Sequence, residues 1–172
     1  MLKLVSKSTK ELTATNIREI CHLKNSQWKF GLKSQLKWFK NNIKKHDIHN
    51  CAYLKDQLVG YTLLRKRTLM VSNKKINYLL FDSLVIKKKL RKKKLFYLIM
   101  LFNNAVIKKK KRISFLTCKN KLINFYKKFY WKKINNSKFS VVDHPFSSNG
   151  MIFNSSKNLK SIKNPFKIFI NR

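Results

Sequence analysis

The segment INYLLFDSLVI, Ile76 to Ile86, is apolar almost without a break and rich in β-compatible side chains. A strand with one wet face alternates apolar with polar residues, whereas a run like this suits a central strand covered on both faces. It is followed by a basic stretch, KKKLRKKK (Lys87 to Lys94), and then by LFYLIMLFNNAVI. From Arg91 to Ile107 the pattern predicts a long helix, apolar almost all round and therefore buried. KKKKR (Lys108 to Arg112) ends it, where cations suit a helix C-terminus. A strand and a helix that both need cover imply a layered α/β domain. A helix lying on a membrane surface needs a strongly polar face, which this one lacks. The longest apolar run, Leu95 to Phe102, is far short of the roughly 20 residues a spanning helix needs.

The rest of the chain supplies partners for this pair. Met1 to Val5 reads as a strand. Thr13 is an acceptable N-cap for a helix carrying Ile17, Ile20, Cys21 and Leu23, and a second helix follows Gly31 with Leu32, Leu36, Phe39 and Ile43 on one face. Cys51 to Leu54, the turn LKDQ and Leu58 to Leu64 predict a hairpin. Ile113 to Cys118 reads as a strand, Leu122 to Tyr130 as a short helix, and Phe139 to Val142 and Met151 to Phe153 as two more strands. No internal repeat is visible. The expected order is β-α-α-β-β-β-α-β-α-β-β. Helices alternate with strands only in the second half, so the sheet is expected to be mixed. Residues 1–154 are expected to form one domain and 155–172 a basic tail, whose late apolar patch PFKIFI has no assigned place.

At 172 residues the chain can bury a real core, and 44% apolar residues exclude a disordered chain. Lys and Arg outnumber Asp and Glu by 41 to 6, a formal charge of +35. One reading is a polyanionic partner, RNA, DNA or acidic lipid. The other is compositional drift: Lys, Asn, Ile and Phe dominate, Gly and Pro are rare, and the lysines are spread over the whole chain. Cys21, Cys51 and Cys118 show no metal-ligand spacing and read as buried thiols in a reducing compartment. The first residues, MLKLVSKSTKEL, are too polar for a signal peptide, so a cytoplasmic protein is expected. His46, Asp47 and His49 lack a further ligand at suitable spacing and suit a loop or site rim, so no metal is expected. Cys118 has no His placed by spacing to activate it.

Three stretches resemble the GNAT (GCN5-related) N-acyltransferases, and together they span about Thr13 to Phe153. In LFDSLVIKKKLRKKKLFYLIM a hydrophobic strand and short loop lead into a long helix. Arg91, Lys94 and Phe96 stand on the Arg, Gly and Gly of the family's loop signature. In FLTCKNKLINFYKKFYW, Tyr126 stands on the family tyrosine and Tyr130 on its usual glycine. HNCAYLKDQLVGYTLLRKR is similar to the family's strand-turn-strand, and Gly60 keeps that glycine. The resemblance implies a mixed, mostly antiparallel twisted sheet with a splayed central strand and helices on both faces. It also implies acetyl-CoA as co-substrate, a small-molecule amine as acceptor (an amino sugar among the candidates), and a monomer or homodimer.

The loop chemistry has its own physical logic. A helix N-terminus offers unpaired N–H groups and a partial positive charge, and Arg can grip phosphate in bidentate fashion. By resemblance, backbone of Leu84, Val85 and Ile86 would meet pantetheine, while Arg91, Lys92, Lys93, Lys94, Leu95, Phe96 and Asn120 would complete the coenzyme site. Tyr126 would protonate the departing thiolate; read without the family, it is an aromatic core residue beside Phe125 and Phe129. Asp82 lies inside the most apolar strand and stands where some members carry a basic carboxylate; a structural ion pair is the other reading. Trp28 and Trp38 would line the acceptor side. Two further readings stay open. The replaced glycines at 94, 96 and 130 fit a fold that has lost turnover, and the charge with KFYWKK fits a nucleic-acid binder.

Overall fold

The computed structural model describes residues 1–91, 94–143, 148–154 and 165–171. Strand β1 (Leu2–Ser8) leads to α1 (Ala14–Gln27), which opens on the expected cap: Thr13 Oγ1 accepts the Asn16 N–H at 3.1 Å. Gly31, at φ 84°, turns the chain into α2 (Leu32–Asn42). Next come β2 (Ile48–Leu54), β3 (Gln57–Val71) and β4 (Lys74–Ile86). Both connections are two-residue turns with positive φ at each position, Lys55–Asp56 and Ser72–Asn73. That is the type I′ geometry that matches strand twist. Helix α3 (Leu95–Lys109), β5 (Ile113–Cys118), α4 (Ile123–Lys127), β6 (Lys132–Lys133), β7 (Phe139–Val141), β8 (Asn149–Phe153) and β9 (Phe166–Ile168) follow. The sheet is mixed and mostly antiparallel, as expected.

Three additions go beyond the sequence reading, the short strand β6 among them. Strand β3 runs on past Leu64 through Arg65, Lys66 and Arg67. Those charges broke the apolar pattern, yet Arg65 and Arg67 are buried. The unplaced patch PFKIFI supplies β9, which pairs in parallel with β7 and antiparallel with the far end of β3.

The chain forms two compact units, one from residues 1–65 and 82–103, the other from 66–81 and 104–172. In the first, β2 pairs antiparallel with β1 and β3. Ile20, Cys21, Leu23 and Phe39 of α1 and α2 pack on Cys51, Tyr61 and Leu63. Leu95 and Ile99 of α3 pack with Ala52, Val59 and Ile86. Helices therefore lie on both faces of this hairpin. A register shift beside Ala52 lets Val59 and Tyr61 serve opposite cores. The family glycine at Gly60 has a local reason: a Cβ there would sit 3.0 Å from Ile99 Cδ1.

In the second unit β4 and β5 pair in parallel, from Tyr78 opposite Ile113 to Leu80 opposite Phe115, where the pairing stops. β4 thus leaves its parallel partner partway along its length. β8 pairs antiparallel with β5 and β6, and Tyr78, Phe115, Phe139 and Phe166 fill a core with Leu69 and Ile168.

The expectation that α3 is buried all round needs correction. Leu95, Ile99, Met100 and Ile107 are buried, but Tyr97, Leu98 and Leu101 are exposed. A helix against a sheet covers one stripe, and α3 carries more apolar residues than that stripe holds.

Candidate functional site

A cavity of about 460 Å³ opens in the first unit. The end of α1 gives it Lys24 and Trp28, the connection gives Phe30, α2 gives Ser34, Gln35 and Trp38, and β4 gives Asp82 and Ser83. The Gln35 side-chain amide donates to the Trp28 carbonyl at 3.0 Å and fixes the connection against α2. Trp28 and Trp38, expected on an acceptor side, both line this space.

The charges around the cavity are arranged tightly. Arg65 Nη1 donates to Asp82 Oδ2 at 2.8 Å, with side-chain exposures of 3% and 19%. Asp82 Oδ1 accepts the Ser83 hydroxyl at 3.0 Å. A second Arg65 nitrogen donates to the Asn42 carbonyl at 3.3 Å. Lys24 is only 5% exposed, and its Nζ lies 3.6 Å over the Trp38 ring. Burial lowers the Lys24 pKa from its ordinary value, with Asp82 opposing that shift. Sequence reading singled out Asp82 but missed Lys24 and Arg65. Lys24 continues the Ile17–Cys21 face of α1 at helical spacing, so its inward position was visible in principle.

The basic turn after β4 is built from both ends. The Lys87 N–H donates to the Val59 carbonyl at 2.9 Å, Leu90 is buried, and a 3-10 turn spans Lys88–Leu90. Arg91 Nε donates to the Ile86 carbonyl at 3.1 Å, and another of its nitrogens donates to Gln27 Oε1. Arg91 therefore ties the turn to β4 and to the end of α1. Lys88, Lys89, Arg91 and Lys94 are exposed, and the Lys94 carbonyl accepts the Leu98 N–H that opens α3. Phe96, on one of the family's glycine positions, lies inside α3 and has no positive φ. Leu84 is half-buried; Val85 and Ile86 are buried, facing the α1/α2 core and the α3 core respectively. Lys92 and Lys93 lie outside the described residues.

The other expected residues are in the second unit. Tyr126 is buried on α4 against Phe125, Phe81 and Trp131, at ring distances of 5.1, 6.2 and 6.3 Å. Burial first, and then the neighbouring Cys118, push its phenol well above the ordinary range, so it stays protonated at neutral pH. Asn120 is exposed and accepts from Asn149 Nδ2 at 2.8 Å. Tyr130, on a family glycine position, takes φ 64°. His49 is buried rather than at a rim, with its ring nitrogens 2.8 Å from the Tyr61 hydroxyl and 2.9 Å from Thr9 Oγ1. The three cysteines are buried and unpaired. Among the described residues no cluster could hold a metal, and no helix is long and apolar enough to cross a membrane.

Comparison with family models and with curated proteins finds no match. Comparison with solved structures finds many. ElaA of Escherichia coli superposes with a TM-score of 0.63 at 15% identity, covering 88% of this chain and 99% of that one. An acyl-CoA N-acyltransferase from Pseudomonas aeruginosa gives 0.66 at 13%, covering 88% and 99%. The GNAT-family N-acetyltransferase YhbS of Escherichia coli, solved with CoA, gives 0.67 at 11%, covering 98% and 91%. The chain has the GNAT N-acyltransferase fold.

Proposed function

We propose that this chain is an acyl-CoA-dependent N-acyltransferase that moves an acetyl group from acetyl-CoA to the amino group of a small molecule. The observation that carries the reading is the turn from β4 into α3. It presents Lys88, Lys89, Arg91 and Lys94 at the start of a 15-residue helix, with helical backbone at Phe96. A phosphate group would meet cations and the positive end of a helix there. Helical backbone leaves position 96 unstrained, which supports retained binding over a fold that has lost it. Backbone of Leu84–Ile86, with Arg91, Lys94, Leu95 and Phe96, makes the coenzyme contacts we propose in the first unit. The Ile86 carbonyl is already engaged by Arg91, so Arg91 holds the turn as much as it offers charge.

In the reaction the amine nitrogen attacks the thioester carbonyl and forms the amide carbon–nitrogen bond, the carbon–sulfur bond breaks, and the proton the amine loses passes to solvent water. Tyr126 supplies a proton to the thiolate. Phe81, Phe125 and Trp131 keep its hydroxyl protonated until that step. Asp82, held by Arg65, places a fixed negative charge beside the acceptor cavity. Amino sugars and aromatic amines both suit the flat faces of Trp28 and Trp38.

The test is a thermal-shift titration with acetyl-CoA, with ATP and a short oligonucleotide as controls, in physiological salt. Acetyl-CoA raises the melting temperature well beyond both controls if the site is built for it. Equal rises with all three would identify the lysines as a general polyanion sponge and refute the reading. Tyr126→Phe then lowers kcat on the order of a hundredfold or more while acetyl-CoA affinity stays unchanged.

A further inference from the structure

Of the charged groups around the α1/α2 cavity, Asp82 already has its cation in Arg65, at 2.8 Å. Lys24 has none. Its side chain lines the cavity and is nine-tenths buried. Its ammonium rests on the Trp38 ring at 3.6 Å, and no described residue accepts a hydrogen bond from it or pairs with it as an anion. An aromatic face is a weaker partner for a desolvated cation than an anion with lone pairs to offer. Asp82 attracts Lys24 only from beyond ion-pair distance and is already paired with Arg65, so two cations share one carboxylate beside the flat side chain of Trp28.

We propose that this cavity selects amine acceptors that also carry a carboxylate, with Lys24 receiving the carboxylate and the acceptor's apolar body lying against Trp28 and Trp38. The inference rests on the acyltransferase reading and narrows its acceptor to amino-acid-like amines. The lowered pKa of Lys24 agrees with it, because burial is the leading cause and an arriving anion would reverse that shift. Asp82 and Ser83, on the β4 side of the same space, are left to face the amine.

Binding is tested apart from turnover. 3-Phenylpropionate, which has the carboxylate and ring but no amine, is titrated into the protein without acetyl-CoA, and tryptophan fluorescence is followed. Saturable binding is expected. It should weaken on the order of tenfold in Lys24→Gln and persist in Lys24→Arg and in the surface control Lys110→Gln. Lys24→Met serves if the Gln variant does not fold. Binding that does not saturate, or that both neutral variants retain, overturns the proposal. Tighter binding of phenyl phosphate than of 3-phenylpropionate overturns the carboxylate assignment.

Turnover then compares L-phenylalanine with 2-phenylethylamine, which lacks the carboxylate. A preference for L-phenylalanine on the order of tenfold in kcat/KM, lost in Lys24→Gln, is expected. Equal use of both amines refutes the inference and leaves the acyltransferase intact. Lys24-dependent binding of 3-phenylpropionate without any acetyl transfer supports the carboxylate site and removes the acyltransferase reading.

Discussion

His49 should make this fold sensitive to acid. Its ring is fully buried between Phe39 and Tyr61, with ring centroids 5.6 and 5.9 Å away, and both ring nitrogens are in hydrogen bonds. Desolvation, with a smaller contribution from the Lys24 charge, lowers its pKa from 6.5 to about 4. The folded state therefore refuses a proton that the unfolded chain accepts. The stabilisation is complete above pH 6.5 and is lost as the pH falls from there toward 4. At about 1.4 kcal/mol per pH unit, roughly 2 kcal/mol is gone by about pH 5 and on the order of 3 kcal/mol by about pH 4. The assay is urea unfolding of the wild type and His49→Gln at neutral pH and near pH 5, in fixed salt. Gln keeps polar atoms near Tyr61 and Thr9 but cannot titrate. The wild type should lose about 2 kcal/mol more than the variant between the two pH values. Equal losses in both proteins would refute the assignment of acid sensitivity to this ring.

Tyr130 is 79% exposed and held at φ 64°, so Tyr130→Gly should relieve left-handed strain and raise stability by up to about 1 kcal/mol, measured by chemical unfolding. A clear loss of stability would show that the ring does more than occupy solvent. A Cβ at Gly150 would fall 2.5 Å from Phe139 Cζ and 2.9 Å from Phe115 Cε2, so Gly150→Ala should cost about 1–3 kcal/mol by overpacking; a neutral effect would refute that packing. Asp82→Ala leaves Arg65 buried without its anion and should cost about 3 kcal/mol, whereas the double variant with Arg65→Met should recover much of that. Failure of the double variant to recover stability would show that the pair is held by more than mutual charge compensation.

The elements legible in the sequence were those whose pattern had one cause. The continuous apolar run of β4, the Thr13 cap of α1 and the Lys55–Asp56 turn each follow from local chemistry, and each is in place. β3 was half legible because Arg65 and Arg67 look like surface residues until their partners are known. Arg65 meets Asp82, and Arg67 Nε donates to the Ile170 carbonyl at 2.9 Å. Those partners lie 17 and 103 residues away, beyond any local pattern. β9 was hidden because three residues in a Lys- and Asn-rich segment carry too little periodicity to stand out.

The site was legible in type but not in its charges. Aromatic residues at 28 and 38 and the carboxylate at 82 could be picked out, because large rings and rare acids stand out in this composition. Lysines do not stand out in a chain of charge +35, and on the reading that the excess is compositional drift, cations fall wherever solvent tolerates them. That explanation makes its own demand, namely that such lysines be exposed. Lys24 is the one lysine among the described residues that is buried. Drift does not favour a desolvated ammonium, since an apolar residue on that face of α1 would cost less. The general excess of positive charge is therefore poor guidance to function. The single lysine that departs from it, set beside Asp82 and Trp38, is where the chain's charge carries information about a ligand.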